Sequence, residues 1–270
     1  MCDSELHLLR GLRGALDAHR SLCEMGFLHG NINAGNVLLY DERPKEGAQG
    51  LLLDVELALS KPSLTNRKET VNVPSRLKTS GTEFPTATRT QLYHESTSVM
   101  HGALMSDTTQ FVSWEILTAL HVKGKIRRQA HHDVESFVWV LAYSVMRLVA
   151  ERMKADYTVP QDAIHEFQDL FENCFTPLSA LAIANNRRAA QPLAWTCHDQ
   201  TIEPDDDGRR VYEDAIRQMS KPLIDLFDGL VDDIWASTHP KSGMRTYLTH
   251  DKLQSRLDYS IAQLEKEEQK

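Results

Sequence analysis

Apolar positions between residues 4 and 25 recur with a helical period. Leu8, Leu12, Ala15, Leu16, His19 and Cys23 fall on one stripe at i, i+4, i+7 spacing, which predicts a helix over 4–25. Asp3 or Ser4 supplies its cap and Gly26 its stop. Residues 26–36 have no period and read as a loop. "VLLY" (37–40) and "GLLLDV" (50–55) are short apolar runs joined by the polar "DERPKEGAQ", the pattern of strand, loop and strand. Between 60 and 110 the pattern dissolves into Ser, Thr, Pro and charge, which predicts an irregular or partly disordered segment. Its hydroxyl residues read as solvated loop polarity rather than as modification sites.

Order returns at residue 111. "FVSWEILTAL" predicts a short helix, and "KGKIRR" (123–128) a basic loop, solvated or docking an acidic group. "HDVESFVWVLAYSVMRLVAERM" is apolar on nearly every side, which marks a helix buried inside a domain. Further helices are predicted at 161–174, 178–190, 209–219 and 221–236, with Pro222 in the first turn of the last. A final amphipathic helix over 249–267 carries Leu253, Leu257, Ile261 and Leu264 on one side and Thr249 as its cap. The fold class expected is mainly α, with one small β-hairpin near the start.

Composition adds exclusions. A chain of 270 residues is long enough to bury a core, and 41% hydrophobic with 25% charged residues is ordinary for a globular protein. The formal net charge of −8 gives no support for nucleic-acid or membrane binding. Cys2, Cys23, Cys174 and Cys197 form no CxxC pair, so no structural zinc site is expected from spacing, and a reduced intracellular compartment, cytoplasmic or nuclear, fits. "MCDSELHLLRGLRG" has no apolar signal region, and the longest apolar run, "FVWVLAYSVM" (137–146), is too short to span a bilayer.

The chemistry lies in "LHGNINAGNVLLYD" (28–41). Phosphoryl transfer needs Mg²⁺ held against phosphates and a group to orient or deprotonate the acceptor hydroxyl. Kinases place the base and one metal ligand on a single loop, His-x-Asp, four residues, then Asn. A second ligand, an Asp, follows the next hairpin. Here His29 takes the first position, Asn31 the place of the catalytic Asp, Asn36 the metal-binding Asn, and Asp54 of "LLLDVELA" the second ligand. Glu115 in "QFVSWEIL" stands as at the end of an activation segment. Asp133 in "HHDVESFVWVL" stands as the anchor that accepts backbone N–H groups from the catalytic loop.

Over residues 4 to 262 the chain resembles the fungal-type protein kinases. Their "HRDISxGNI", "DFDLA", "FMAxEIL" and "HDLESFFYVL" are met here by "HGNINAGNV", "DVELA", "FVSWEIL" and "HDVESFVWVL", and "PLIDLFDGLVDDIW" and "LTHDKLQSRLDYSI" are similar to the closing helices. The resemblance implies the C-terminal lobe of a protein kinase-like fold over 1–270, with 60–110 as a long activation-segment insertion. Glu56, where most kinases have Gly, fits this family. His29 would brace the loop, Asn36 and Asp54 would hold Mg²⁺ with ATP, and Glu115 and Asp133 would be structural.

The chain departs from that pattern in its chemistry. The amide of Asn31 is no proton acceptor, and loss of a positioned base costs ~10²–10⁴ in rate. Gly30 replaces an Arg that helps fix the activation segment, and Asn33 replaces Ser or Lys. No N-terminal lobe is expected: "RGLRGAL" lies inside a helical pattern and is not a phosphate loop, and no strand Lys with a partner Glu precedes it. Mg·ATP binding is therefore expected to be weak or absent. An orphaned lobe face implies a protein partner or self-association. His131 and His132 read as a helix-cap environment rather than a metal site, because adjacent side chains point apart. Three functions stay open: an inactive kinase-like interaction module, a Ser/Thr kinase lobe complemented from elsewhere, and a small-molecule phosphotransferase of the aminoglycoside or choline kinase type, whose "HGDxxxxGN" loop matches Gly30, Gly35 and Asn36.

Overall fold

A computed structural model describes residues 4–39, 49–55, 59–60, 70–71, 87–88, 109–176, 179–196, 212–240 and 245–269. Most of the irregular 60–110 segment, Glu56, Cys2 and Cys197 lie outside the described residues. The fold is mainly helical. Its elements are α1 (Glu5–Glu24), β1 (Phe27–Leu28), β2 (Val37–Leu39), β3 (Gly50–Leu52), β4 (Leu59–Ser60), β5 (Thr70–Val71), β6 (Ala87–Thr88), α2 (Trp114–His121), α3 (Ala130–Ala155), α4 (Gln161–Phe175), α5 (Ala180–Arg188), α6 (Glu213–Arg217), α7 (Lys221–Thr238) and α8 (His250–Glu268). None of the described helices is long and apolar enough to cross a membrane.

Helix α1 starts where Ser4 accepts the His7 N–H at 3.1 Å, and the chain leaves it through Gly26 at φ 95°, a left-handed turn that favours glycine. Leu8, Leu12, Ala15, Leu16, His19 and Cys23 are all buried. Helix α3 is the axis of the core. Phe137, Val138, Trp139, Leu141, Ala142, Val145 and Met146 are fully enclosed, because α1, α4, α6 and α8 all pack against it. Thr249 caps α8 by accepting the Lys252 N–H at 3.3 Å, and Pro222 sits in the first turn of α7.

Among the described residues the strands come as three antiparallel pairs rather than one hairpin. Strand β2 pairs β3 with Val37 opposite Leu52 and Leu39 opposite Gly50, β1 pairs β4, and β5 pairs β6. Two-residue strands have no alternation to read, so β1 with β4 and β5 with β6 left no trace in the pattern. Of the helix predicted over 209–219, residues 212–219 are described and only Glu213–Arg217 is helical.

Two glycines of "RGLRGAL" have a packing reason. A Cβ on Gly14 would stand 2.9 Å from the Gly50 nitrogen, and a Cβ on Gly50 would stand 1.8 Å from the Gly11 carbonyl oxygen. The β2–β3 hairpin thus rests backbone to backbone on α1. Gly50→Ala must push helix and hairpin apart. Overpacking of this kind costs about 1–3 kcal/mol, and a urea midpoint should fall accordingly; a loss below ~0.5 kcal/mol, within the usual range of surface changes, would show the contact to be dispensable.

Candidate functional site

The loop between β1 and β2 is built from short side chains that bond to their own backbone. The His29 ring is buried, accepts the Asn31 N–H at Nδ1 (3.3 Å) and donates from Nε2 to the Leu53 carbonyl (2.7 Å). It therefore ties the loop to the residue just before Asp54. The Asn33 carboxamide donates to the Asn31 carbonyl (3.1 Å) and to Asn31 Oδ1 (3.3 Å), while its oxygen accepts the Gly35 N–H (2.8 Å). Asn36 Nδ2 donates to the same Asn31 carbonyl at 3.0 Å. That leaves Asn36 Oδ1 as the atom able to meet a cation.

The ladder of β2 and β3 extends one step further, with the Leu53 N–H donating to the Asn36 carbonyl at 2.8 Å. Asp54 follows directly, half-buried and left-handed at φ 57°. Such a conformation costs on the order of 1–3 kcal/mol in a residue other than glycine, and strain of this kind clusters at functional sites. Asn36 and Asp54 thus stand at neighbouring positions on paired strand ends. Both offer hard oxygen atoms, the donor type Mg²⁺ takes.

Behind the loop, Asp133 gathers three elements. Its Oδ2 accepts the Gly30 N–H (3.0 Å) and the His19 Nε2–H (3.1 Å), and Arg128 stands 4.0 Å from Oδ1. Arg128 also donates to the Gly30 carbonyl, so the Gly30 peptide is held at both ends while its φ of 74° requires glycine. Burial opposes ionisation of Asp133. The His19 bond and charge, the Gly30 N–H and Arg128 more than offset it and hold the carboxyl below its usual range. Burial likewise opposes the His19 charge, yet Asp133 and Cys23 raise its pKa to about 9. One residue of "KGKIRR" is therefore not solvated: Arg128 is recruited to the loop, whereas Lys123, Lys125 and Arg127 are exposed.

Glu115 forms a second knot. Its Oε2 meets both His131 Nε2 (3.2 Å) and His132 Nε2 (3.0 Å), and its Oε1 accepts from Arg245 (3.0 Å). The two adjacent histidines converge instead of pointing apart, with ring centroids 4.1 Å from each other. The cause is the turn at the start of α3, where the Gln129 N–H donates to His132 Nδ1 and rotates that ring back toward α2. Burial acts against the Glu115 charge, but the histidines and Arg245 keep its carboxyl low. Burial, aided by His131, depresses His132 to about 4.

Two further buried charges stand outside the expectations drawn from the sequence, although Glu135 lies in the quoted "HDVESFVWVL". Glu135 accepts the Trp114 N–H (2.7 Å) and the Trp139 indole N–H (3.2 Å). Arg187 lies over the Trp139 ring at 4.3 Å and donates to the Gln191 carbonyl (3.0 Å) and to that of Gln110. Burial lifts Glu135 to about 7 and lowers Arg187 to about 10.

The assembly is a pair of strands with the oxygen-bearing side chains of Asn36 and Asp54 at one end, a loop carrying an amide at its centre, and ion-pair knots behind. No match to the chain was found among curated proteins or among solved structures. A family model described as fungal protein kinase matches residues 1–145, which is more than half of the chain. The histidine loop, the Asp-bearing hairpin and Asp133 itself all fall inside that stretch, and the chain belongs to the fungal protein kinase family.

Proposed function

We propose that this chain is a kinase-like C-terminal lobe that no longer transfers phosphate and works as an interaction module. The single observation behind the reading is Asn31 at the position of the base. Its Oδ1 accepts from Asn33, and an amide oxygen has no carboxylate basicity to offer an acceptor hydroxyl. His29 keeps a bracing role. Asn36 and Asp54 remain the pair that would hold Mg²⁺, and ATP would meet them only weakly, because residues 1–270 carry no Gly-rich phosphate loop and no strand Lys to share the phosphates. Glu115 and Asp133 serve structure.

Apolar side chains around the hairpin support an interaction role. Leu38 and Leu51 face each other across the strands and are 42% and 40% exposed, with Leu53 and Val55 beside them about equally open. A protein partner or a second copy of the chain would cover that face. One feature favours a second reading, a phosphotransferase lobe complemented from another chain: the strained Asp54 beside Asn36 is what a working magnesium site needs.

Thermal denaturation with Mg·ATP separates the two. A ligand at a hundredfold excess over its Kd stabilises by about 2.7 kcal/mol. No shift at millimolar Mg·ATP is expected here, and a saturable rise in Tm that Asp54→Ala abolishes would overturn the inactive reading. Asn31→Asp alone should also give no measurable transfer. Robust phosphorylation of any acceptor by that variant would show the amide, and not the cleft, to be the decisive lesion.

A further inference from the structure

On the face of α1 away from the hairpin, His19, Cys23 and His250 bring one ligand atom each to within 4.8 Å of one another. His19 and Cys23 are one helical turn apart, a spacing at which two side chains chelate one ion. His250 is the first residue of α8, packed alongside. His19 Nδ1 stands 2.8 Å from His250 Nε2 and 3.9 Å from Cys23 Sγ.

We propose that these three side chains form a zinc site that clamps α8 onto α1. An N₂S donor set with one thiolate suits Zn²⁺. Ligand atoms around tetrahedral zinc, at the usual bond lengths, stand roughly 3.4–3.7 Å apart, so the imidazoles must part by roughly 0.6 Å from 2.8 Å while the thiolate closes in. The supporting shell is already built. Asp133 Oδ2 accepts from His19 Nε2 at 3.1 Å, which orients the ring and leaves Nδ1 as the ligating atom, the carboxylate–histidine–metal arrangement that raises ligand basicity.

The site has an entry path and a free vertex. A cavity of about 400 Å³ is lined by Cys23 and His250 together with Arg20, Glu24, Thr249 and Asp251, and Arg20 is paired there with Asp251. Three protein ligands leave the fourth position open on that cavity for a water molecule. The Glu115, His131 and His132 cluster is a weaker candidate, because Arg245 neutralises its carboxylate and the Gln129 N–H occupies His132 Nδ1. The absence of a CxxC pair gives no reason to expect zinc from the sequence. A site made of one thiol and two imidazoles 231 residues apart leaves no such spacing.

The test uses the reduced, chelator-stripped full chain titrated with Co²⁺ and back-titrated with Zn²⁺. The wild type is expected to develop the visible bands of tetrahedral cobalt and the near-ultraviolet thiolate band, and Zn²⁺ should bleach both. Cys23→Ser should lose the thiolate band. His250→Ala should weaken binding by more than the ~10–100-fold that loss of a supporting hydrogen bond costs. His131→Ala should bind as the wild type does. Zn²⁺ should raise the Tm of the wild type and not that of His250→Ala, whose metal-free circular dichroism and Tm report that it still folds. Absence of tetrahedral bands in the wild type, or their persistence in His250→Ala with loss in His131→Ala, overturns the assignment.

Discussion

Asp133→Ala is expected to destabilise the fold by about 3–5 kcal/mol, the usual cost of removing one partner of a buried ion pair. The carboxylate neutralises His19, holds the Gly30 N–H and faces Arg128, and it is almost wholly enclosed. Without it, His19 can relieve the strain by shedding its proton. Arg128 cannot, and the Gly30 N–H is left without its acceptor. Asp133→Asn keeps one oxygen for one of the two donors and should lose less, on the order of the 1–3 kcal/mol of an unsatisfied buried group. At ~2–4 °C per kcal/mol for a chain of this size, the alanine variant should melt roughly 6–20 °C lower. Guanidinium or urea titration gives the free energies directly, and a loss below ~1 kcal/mol, less than one unsatisfied buried group costs, would mean the loop does not depend on this anchor.

Arg187→Met carries the second large effect, and its size should depend on pH. Glu135 has its pKa raised to about 7 by burial, against the pull of Trp114, Trp139 and Arg187. A carboxyl raised above its unfolded value contributes stability that is complete below about pH 4.3 and is lost as pH climbs through the folded value. The wild type should therefore weaken between about pH 5 and 7 on account of this group. Removing the guanidinium raises Glu135 further, and each added unit costs about 1.4 kcal/mol at alkaline pH. The expected penalty is about 3–5 kcal/mol at pH 8 and smaller at pH 5, where the carboxyl is protonated. Arg187 Nε makes no hydrogen bond among the described residues, which places the loss toward the lower end. Glu135→Gln should flatten the pH profile, and the double variant should recover most of the Arg187→Met loss at pH 8. A penalty equal at both pH values would show that Glu135 and Arg187 do not communicate.

Much of the helical frame was legible because it is amphipathic and long. The stripe of α1, its Ser4 cap and its Gly26 exit are local facts, and the unbroken apolarity of α3 announces a buried axis without any partner being known. The β2–β3 hairpin was legible as two apolar runs about a residue or more longer than its strands. What stayed hidden is relational. Arg128 looks identical to its exposed neighbours until Gly30 is brought to it across 98 residues. The convergence of His131 and His132 comes from one rotated ring at a helix start, which adjacency rules cannot foresee. Arg187 lies in "LAIANNRR", where a second Arg follows at once, and nothing local says which one enters the core. Of the candidate site, the sequence supplied the residue types and their order, and the fold supplied the register that sets Asn36 beside Asp54.

One hidden signal was present in plain view. Asp251, Asp258 and Glu265 recur every seven residues along α8, and they meet Arg20 (2.5 Å), Arg13 (2.8 Å) and Arg10 (2.5 Å) of α1 in antiparallel order. Each pair is at least partly open to solvent and worth at most about 1 kcal/mol. Their topology matters more than their strength. Helix α1 is synthesised about 225 residues ahead of α8 and must wait for that stretch before its mate emerges. Until then its leucine face stands open to chaperones and to other nascent chains, so any premature stop ahead of α8 should yield a product that is degraded or aggregates rather than one that folds in part.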